Sequence, residues 1–478
     1  MGLMNRIKGL FRRGKTTVER LYQAASPDHL RPRRGGIHSG NAIMDITQDK
    51  LRNLARYLDE NHDLVVGVLD DLINNTIGDG RQPIPMVRKK NGDLADDVNK
   101  NLTELYQEWA ERPDVTQQYG IAELERLAAR SVYRDGEVFG KFIRDPRYGF
   151  PSKTKLAIEA LEADHCPFEM NESGNGIIHG IQMDGYRRPI AYHFYDEHPG
   201  DLHLTRGRLL GKTRRIPAER VLHWRFVRRL NQIRGVPILH AVLNRLRDVM
   251  DYEESERIAA RMAAELTGFI KRNGEFQGTV DASNRVLQMQ SGAFFELMVG
   301  EDVGTIKSDR PNSGLADFRA AMLRAVSAGT GTRYSAIARD FNGTYSSQRQ
   351  ELVEAAVNYR ALFRVTVNRW HIPIWREFVE ASPNVFNGQV DFSTAYRVEY
   401  RPPVIPWIDM EKEAKAWKIL LDSKIESHIE VMRARGRDPV KVMEELKREA
   451  EESLFIPPAP IMNEAIQDDI EEVSANGR

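Results

Sequence analysis

The chain has 478 residues, 41% hydrophobic and 29% charged, with 69 Lys/Arg against 69 Asp/Glu. That length asks for more than one ordinary domain, and the composition is that of a core-forming chain with a heavily charged surface. Its one cysteine, Cys166, excludes an internal disulfide and a multi-cysteine zinc site, and no stretch approaches the roughly 20 apolar residues that a membrane span needs.

Residues 1–34 hold nine Lys/Arg and two Asp/Glu, while residues 442–478 hold ten Asp/Glu and three Lys/Arg. Such tails are most simply solvated ends; the sharper alternative is a basic arm that meets nucleic acid or an acidic partner surface. A balanced total argues against tight sequence-independent DNA binding, which rests on neutralising phosphates. The opening MGLMNRIKGLFRRGKTT lacks the continuous apolar stretch of a secretory signal, so a chain assembled in the cytoplasm is expected.

Residues 46–77 carry apolar pairs at three- to four-residue spacing (Val65/Val66, Val68/Leu69, Leu72/Ile73), which predicts a helix stopped at Gly78. Amphipathic helices are expected at about 95–110 and 120–134. From Glu137 to Phe226 the pattern changes to short strands. Met183-Asp184-Gly185-Tyr186 is a hairpin signal, Ile190, Tyr192 and Phe194 alternate after it, and Leu222, Trp224 and Phe226 alternate again.

Helical periodicity returns at Val236 and runs to about Lys271, some ~35 residues or roughly 50 Å if straight. Residues 273–312 read as short strands, and 314–328 as a helix broken by Gly329-Thr330-Gly331. A second long helix is expected from about Ser347 to Trp370, with Leu352, Ala356, Tyr359, Phe363 and Val367 on its apolar face and Pro373 bending or ending it. A strand-like run at 394–400 precedes Pro402, Pro403 and Pro406; charged helices follow at about 410–434 and 438–453, then an acidic tail with little core-forming capacity. The fold class is α+β, mainly helical, with a β-rich insertion.

Three apparent chemical sites fail on physical grounds. Gly9-Leu-Phe-Arg-Arg-Gly14-Lys15-Thr16 fits the P-loop pattern, but a P-loop needs a buried strand delivering it to a helix N-terminus. The eight residues before Gly9 include Asn5, Arg6 and Lys8, from which no central strand can be built. His165 and Cys166, taken as neighbours on a strand, point to opposite faces and cannot share a ligand. Asp251, Glu253, Glu254 and Glu256 are interleaved with Arg247, Arg257 and Arg261, the pattern of an ion-pair face rather than a metal site. No catalytic residue, metal or cofactor is expected.

Several blocks, taken together, resemble the lambda-like portal proteins of tailed phages. They are HDLVVGVLDDLINNTIGDG at 62–80, IPAERVLHWRF at 216–226, and the helix opening Arg234-Gly235-Val236-Pro237 with its Asp-Tyr-Glu and Ala-rich continuation. To these add Arg310-Pro-Asn-Ser, Gly329-Thr-Gly-Thr-Arg-Tyr and Phe341-Asn-Gly-Thr-Tyr-Ser-Ser, and finally Trp407-Ile-Asp-Met-Glu-Lys-Glu-Ala. The resemblance covers about residues 45–450.

It implies a portal-type subunit. The expected parts are a basic arm at 1–44, and a strand-rich wing at 45–235 to which 372–407 returns. A stem of long helices is expected at 236–272 and 314–330, a small clip at 273–313, and a tunnel loop with its long helix at 331–371. A helical crown at 408–455 and a mobile acidic tail at 456–478 complete the set. The resemblance also implies a homo-oligomeric ring, a dodecamer in the family, at one capsid vertex of the virion. Double-stranded DNA would pass through it without sequence specificity, and the terminase large subunit, head-tail adaptor, major capsid and scaffold proteins would be partners. Asn342, Gly343, Thr344, Tyr345, Ser346, Ser347 and Arg349 would form the DNA-facing loop, with Gly343 supplying unusual backbone angles and the amide and hydroxyls touching phosphates loosely. From the residues alone, an ordinary helix–helix turn serves as well. The rival functions are a P-loop NTPase acting on DNA and a non-viral helical scaffold protein.

Overall fold

The structure, a computed structural model, describes residues 38–201, 212–265, 269–272, 301–304, 314–383, 385–386, 388–404, 410–437 and 439–451. The Gly9–Thr16 match, nearly all of the basic arm, most of 273–313 and the acidic tail lie outside them.

The described residues begin with two helices, α1 (Gly40–Asn61) and α2 (Asp63–Thr76), where the periodicity suggested one. His62 breaks them: its backbone is extended at φ −127°, and its Nε2 lies 3.1 Å from the Leu246 carbonyl oxygen, a tertiary contact no local pattern encodes. Past α2, Gly78 turns the chain at φ +62°, as the sequence implied. The short strand β1 (Ile84–Pro85) leads to α3 (Asp96–Ala110) and α4 (Ile121–Asp135), both close to their expected bounds. Gly136 caps α4 in the left-handed conformation, its N–H donating to Val132 O.

The strand region forms two antiparallel sheets. β2 (Glu137–Ile143) lies between β3 (Ala157–Glu162) and β8 (Val221–Arg225). β4 (Ile177–Ile178), β5 (Ile181–Met183), β6 (Pro189–Tyr195) and β7 (Thr213–Pro217) pair in chain order. The expected hairpin joins β5 to β6, and the Asp184 carboxylate accepts from the N–H groups of Tyr186 and Arg188, both at 2.8 Å. Tyr192 and Phe194 are buried with Phe139, Leu161, Cys166, Ile181 and Ile233; Ile190, nearer the hairpin end, is exposed.

The helix expected over 236–271 is shorter. A 3₁₀ turn at Ile238–Ala241 precedes α5 (Leu243–Glu265), and Phe269–Arg272 is strand β9, antiparallel to β10 (Glu301–Gly304). α6 (Leu315–Thr330) closes on Gly331 at φ +70°, and α7 (Tyr334–Ala338) leads toward α8 (Tyr345–Thr366). Pro373 does not end the long helix. Instead a π turn at Val367–His371 carries it into α9 (Ile372–Ala381), with Pro373 in the first turn of α9.

β11 (Val398–Glu399) then pairs with β1, so the chain comes back to its early residues. Among the described C-terminal residues there are three helices rather than two: α10 (Met410–Asp422), α11 (His428–Ala434) and α12 (Pro439–Glu451), with Lys424 at φ +56° in the break between α10 and α11. The main core gathers α1–α4, β2, β3, β8, the start of α5, and α6–α9 around Trp109, Trp224, Trp370 and Trp375, all at most 1% exposed. On α8, Leu352, Ala356, Tyr359 and Phe363 are buried as expected, and Val367, which opens the π turn, is half-buried.

Candidate functional site

The link between α7 and α8 and the first turn of α8 are exposed from Phe341 through Ser347, so that Tyr345, Ser346 and Ser347 are helical rather than part of a loop. The shape of this stretch comes from polar contacts with its own flanks. Asp340 accepts from the Asn342 N–H at 3.2 Å and from the Tyr334 hydroxyl at 3.3 Å. Thr344 is the N-cap of α8, its Oγ1 accepting from the Ser347 N–H at 3.3 Å, while the Ser347 hydroxyl donates back to Thr344 O at 2.9 Å. Gln348 Nε2 donates to Phe341 O at 2.6 Å.

Two expectations change here. Gly343 is not in the left-handed region. A β-carbon there would lie 2.8 Å from Ser347 Oγ, a side-chain hydroxyl that can turn away. The unusual backbone belongs to Arg339, at φ +52°, for which the sequence carries no signal. The structure brings Asn342, the Thr344 cap and the first α8 turn of Tyr345, Ser346 and Ser347 to one exposed place, and among the described residues the side chains of Asn342 and Ser346 find no hydrogen-bond partner. Arg349 differs: it is half-buried, with Nη1 3.2 Å from Glu413 Oε1 of α10.

The Gly329-Thr-Gly-Thr-Arg-Tyr block is the support of this loop. Gly329 fits under Val242, where a β-carbon would come within 2.5 Å of Cγ1. Gly331 leaves room for the Asn358 side chain, whose Nδ2 donates to Gly331 O at 3.1 Å. Arg333 Nη2 donates to Asp71 Oδ1 of α2 at 2.7 Å, and the Tyr359 hydroxyl of α8 donates to Asp71 Oδ2. Asp71 is buried, so one carboxylate ties α2 to both helices that flank the loop. Burial, then the Asp71 charge, raises the Tyr359 phenol well above its ordinary range and keeps it a donor.

Arg234-Gly235-Val236-Pro237 forms a second support. Arg234 and Glu137 are both fully buried; Arg234 Nε donates to Glu137 Oε1 at 2.7 Å, and the Gly235 N–H to Oε2 at 2.8 Å. The other guanidinium nitrogens donate to the carbonyls of Cys166, His179 and Ala163 at 2.8–3.1 Å, between the rings of Phe139 and Phe168. Burial alone would raise the Glu137 carboxyl. Arg234, His223 and Arg52 override it and hold Glu137 well below the usual carboxylate range. The pair ties β2 and the Ala163–Cys166 turn to the approach to α5.

None of this is a constellation for catalysis. His165 ends a 3₁₀ turn, Ala163–His165, rather than lying on a strand, and the Cys166 thiol is buried, donates to His179 O at 3.7 Å and is pushed up to about 12 by burial. Of the acidic run on α5, Asp251 pairs with Arg247 at 3.7 Å and Glu253 with Arg319 of α6 at 2.8 Å, so part of that face is used within the subunit. Glu162, Asp164 and His198 bring three ligand atoms within 4.8 Å of one another. Their carboxylates are already held by Arg56, Arg134 and Arg52 at 2.5–3.5 Å, which leaves a cation poorly served. Among the described residues no helix is long and apolar enough to cross a membrane.

Comparison with known proteins matches residues 28–362 to the family model described as phage portal protein, lambda family. The probable portal protein of Halomonas phage phiHAP-1 is 25% identical over 378 residues, covering 76% of this chain and 72% of its own. A chain from the neck of a native gene transfer agent particle, computed with C12 symmetry, aligns at a TM-score of 0.50 and 12% identity, covering 81% of this chain and 94% of that one. At that identity the likeness is one of fold.

Proposed function

Because the chain belongs to the lambda family of phage portal proteins, we propose that it builds a homo-oligomeric ring, a dodecamer, at one capsid vertex, through which double-stranded DNA enters and leaves. The match over residues 28–362, which includes both supports and the loop, is the observation that carries this reading. The role is mechanical rather than enzymatic: conduit, assembly nucleus and gate. The ring is part of the virion, built in the host cytoplasm, and docks the terminase large subunit and then a head-tail adaptor, with coat and scaffold proteins on its outside.

The division of labour follows from the fold. The pairing of β11 with β1 supports one wing made of 45–235 and the returning 372–407. α5 and α6 would be the stem, joined by the Arg319–Glu253 ion pair. The β9–β10 pairing brings together the two ends of the intervening segment, as an excursion forming a clip requires. α10–α12 would be the crown.

The channel loop would be 341–347, with Asn342, Gly343, Thr344, Tyr345, Ser346 and Ser347 toward DNA. The loop has no lysine, and Arg349 is engaged with Glu413. Amide and hydroxyl groups therefore offer phosphates neutral hydrogen bonds, which suits a bore that must pass DNA without trapping it. Electron microscopy of the purified protein, with its mass measured in parallel, tests the assignment: rings with a central hole are expected. A stable monomer that forms no ring even with its coat partner would favour the scaffold reading.

A further inference from the structure

The block that opens at Trp407 has no place in the loop, yet two of its residues reach the loop's helix. Lys412 and Glu413 lie in the first turn of α10. Glu413 Oε1 is 3.2 Å from Arg349 Nη1, and Lys412 Nζ is 5.2 Å from the centre of the Tyr345 ring. Tyr345 and Arg349 are four residues apart on α8 and so occupy one face across a single turn. Two adjacent residues of α10 thus grip the opening turn of α8. The Glu413 side chain is 18% exposed and that of Arg349 42%, so water reaches the pair and neither contact is strong alone.

The setting gives these weak contacts leverage. α10 and α11 contain no fully buried residue, so the C-terminal helices rest on the rest of the chain through surface contacts. The Thr344 cap and the Gln348 hydrogen bonds fix the loop relative to α8, but they do not fix the start of α8 relative to α10. The contacts from Lys412 and Glu413 do.

We infer that Glu413 and Lys412 are positioning residues: they latch the first turn of α8, and with it the exposed loop at 341–346, to the C-terminal helices. A shift of α10 then becomes a shift of the loop. In a symmetric ring every subunit contributes one such latch, so a partner that displaces the C-terminal helices moves all the loops in the same sense. The meaning for DNA rests on the channel-loop reading above; the latch itself does not.

Hydrogen exchange by mass spectrometry on the full-length protein tests it. Arg349→Glu should speed exchange of peptides covering 339–352 and 410–422 by roughly two- to fivefold, the range an exposed ion pair allows. Peptides from α4 and α9 should keep their rates. The exchanged pair, R349E with E413R, should restore the original rates, which a merely structural defect would not do. If Arg349→Glu folds poorly, Glu413→Gln and Lys412→Met should move the same peptides by smaller factors. Unchanged rates in all single variants, or failure of the exchanged pair to restore them, overturns the latch. DNA content of particles carrying R349E separates the two ideas: altered exchange with normal packaging keeps the latch and removes the channel-loop reading.

Discussion

Gly136 and Gly235 meet backbone to backbone: a β-carbon on Gly235 would collide with the Gly136 carbonyl, and one on Gly136 would lie 2.6 Å from the backbone of Val236. The contact lets the Gly235 N–H reach the buried Glu137 carboxylate, so the glycine of the Arg-Gly-Val-Pro block is a spacer for an ion pair. Gly235→Ala should destabilise the subunit by about 1–3 kcal/mol, the cost of overpacking a closed site. A urea midpoint equal to that of the wild type would show that the two segments separate at no cost.

Stability should fall on mild acidification. Burial, foremost, pushes the His223 imidazole down to about 4 even though it lies beside Glu137. The unfolded histidine titrates near 6.5, so between pH 6.5 and 4 the unfolded chain takes up a proton that the folded chain refuses. The contribution is fully present above about pH 6.5 and is lost as pH falls toward 4, by as much as about 3 kcal/mol. A further loss is expected between about pH 4 and 2 from Asp164: burial pushes its carboxyl up, but Arg52, Arg56 and His198 bring it down to about 2. Denaturation midpoints measured across this range should show a shallower upper slope in His223→Gln than in the wild type, with the remainder from His165 and His179, which burial also pushes down.

The carboxylate of Asp71 serves Arg333 and Tyr359 at once. Tyr359→Phe should cost about 1–2 kcal/mol, and Asp71→Asn should cost more, because it leaves the Arg333 guanidinium, largely shielded from water, without its counter-charge. Thermal unfolding of the two variants gives the order directly. Equal losses would mean that Arg333 finds another acceptor.

Purified protein should release no phosphate from ATP, and Lys15→Ala should leave ring formation and DNA packaging unchanged. Hydrolysis abolished by that substitution would revive the nucleotide-binding reading of Gly9–Thr16.

Local pattern revealed the elements that local physics decides. α3 and α4 announce themselves through apolar spacing, and the β5–β6 hairpin through an aspartate that caps its own turn. The break at His62 did not show, because its ring meets a carbonyl on a distant helix. Nor did the π turn before Pro373, since a proline inside a helical pattern reads as a stop unless the preceding turn widens to receive it. Residues 341–347 are exposed together, but the unusual backbone angle that the sequence suggests for Gly343 belongs to Arg339. Arg234 shows the limit most clearly. An arginine is taken for a surface residue, and only its partner Glu137, far away in the chain, lets it sit at the centre of a core.

The concealment of Cys166 has a practical side. The chain's one thiol is sealed in a packed interior and kept protonated at neutral pH. To a maleimide dye or spin label the folded protein is therefore a blank. A cysteine introduced at Asn342 would be the single reactive handle in each subunit, free of background, so that spectroscopy could follow the distances between loops across the ring while DNA is threaded.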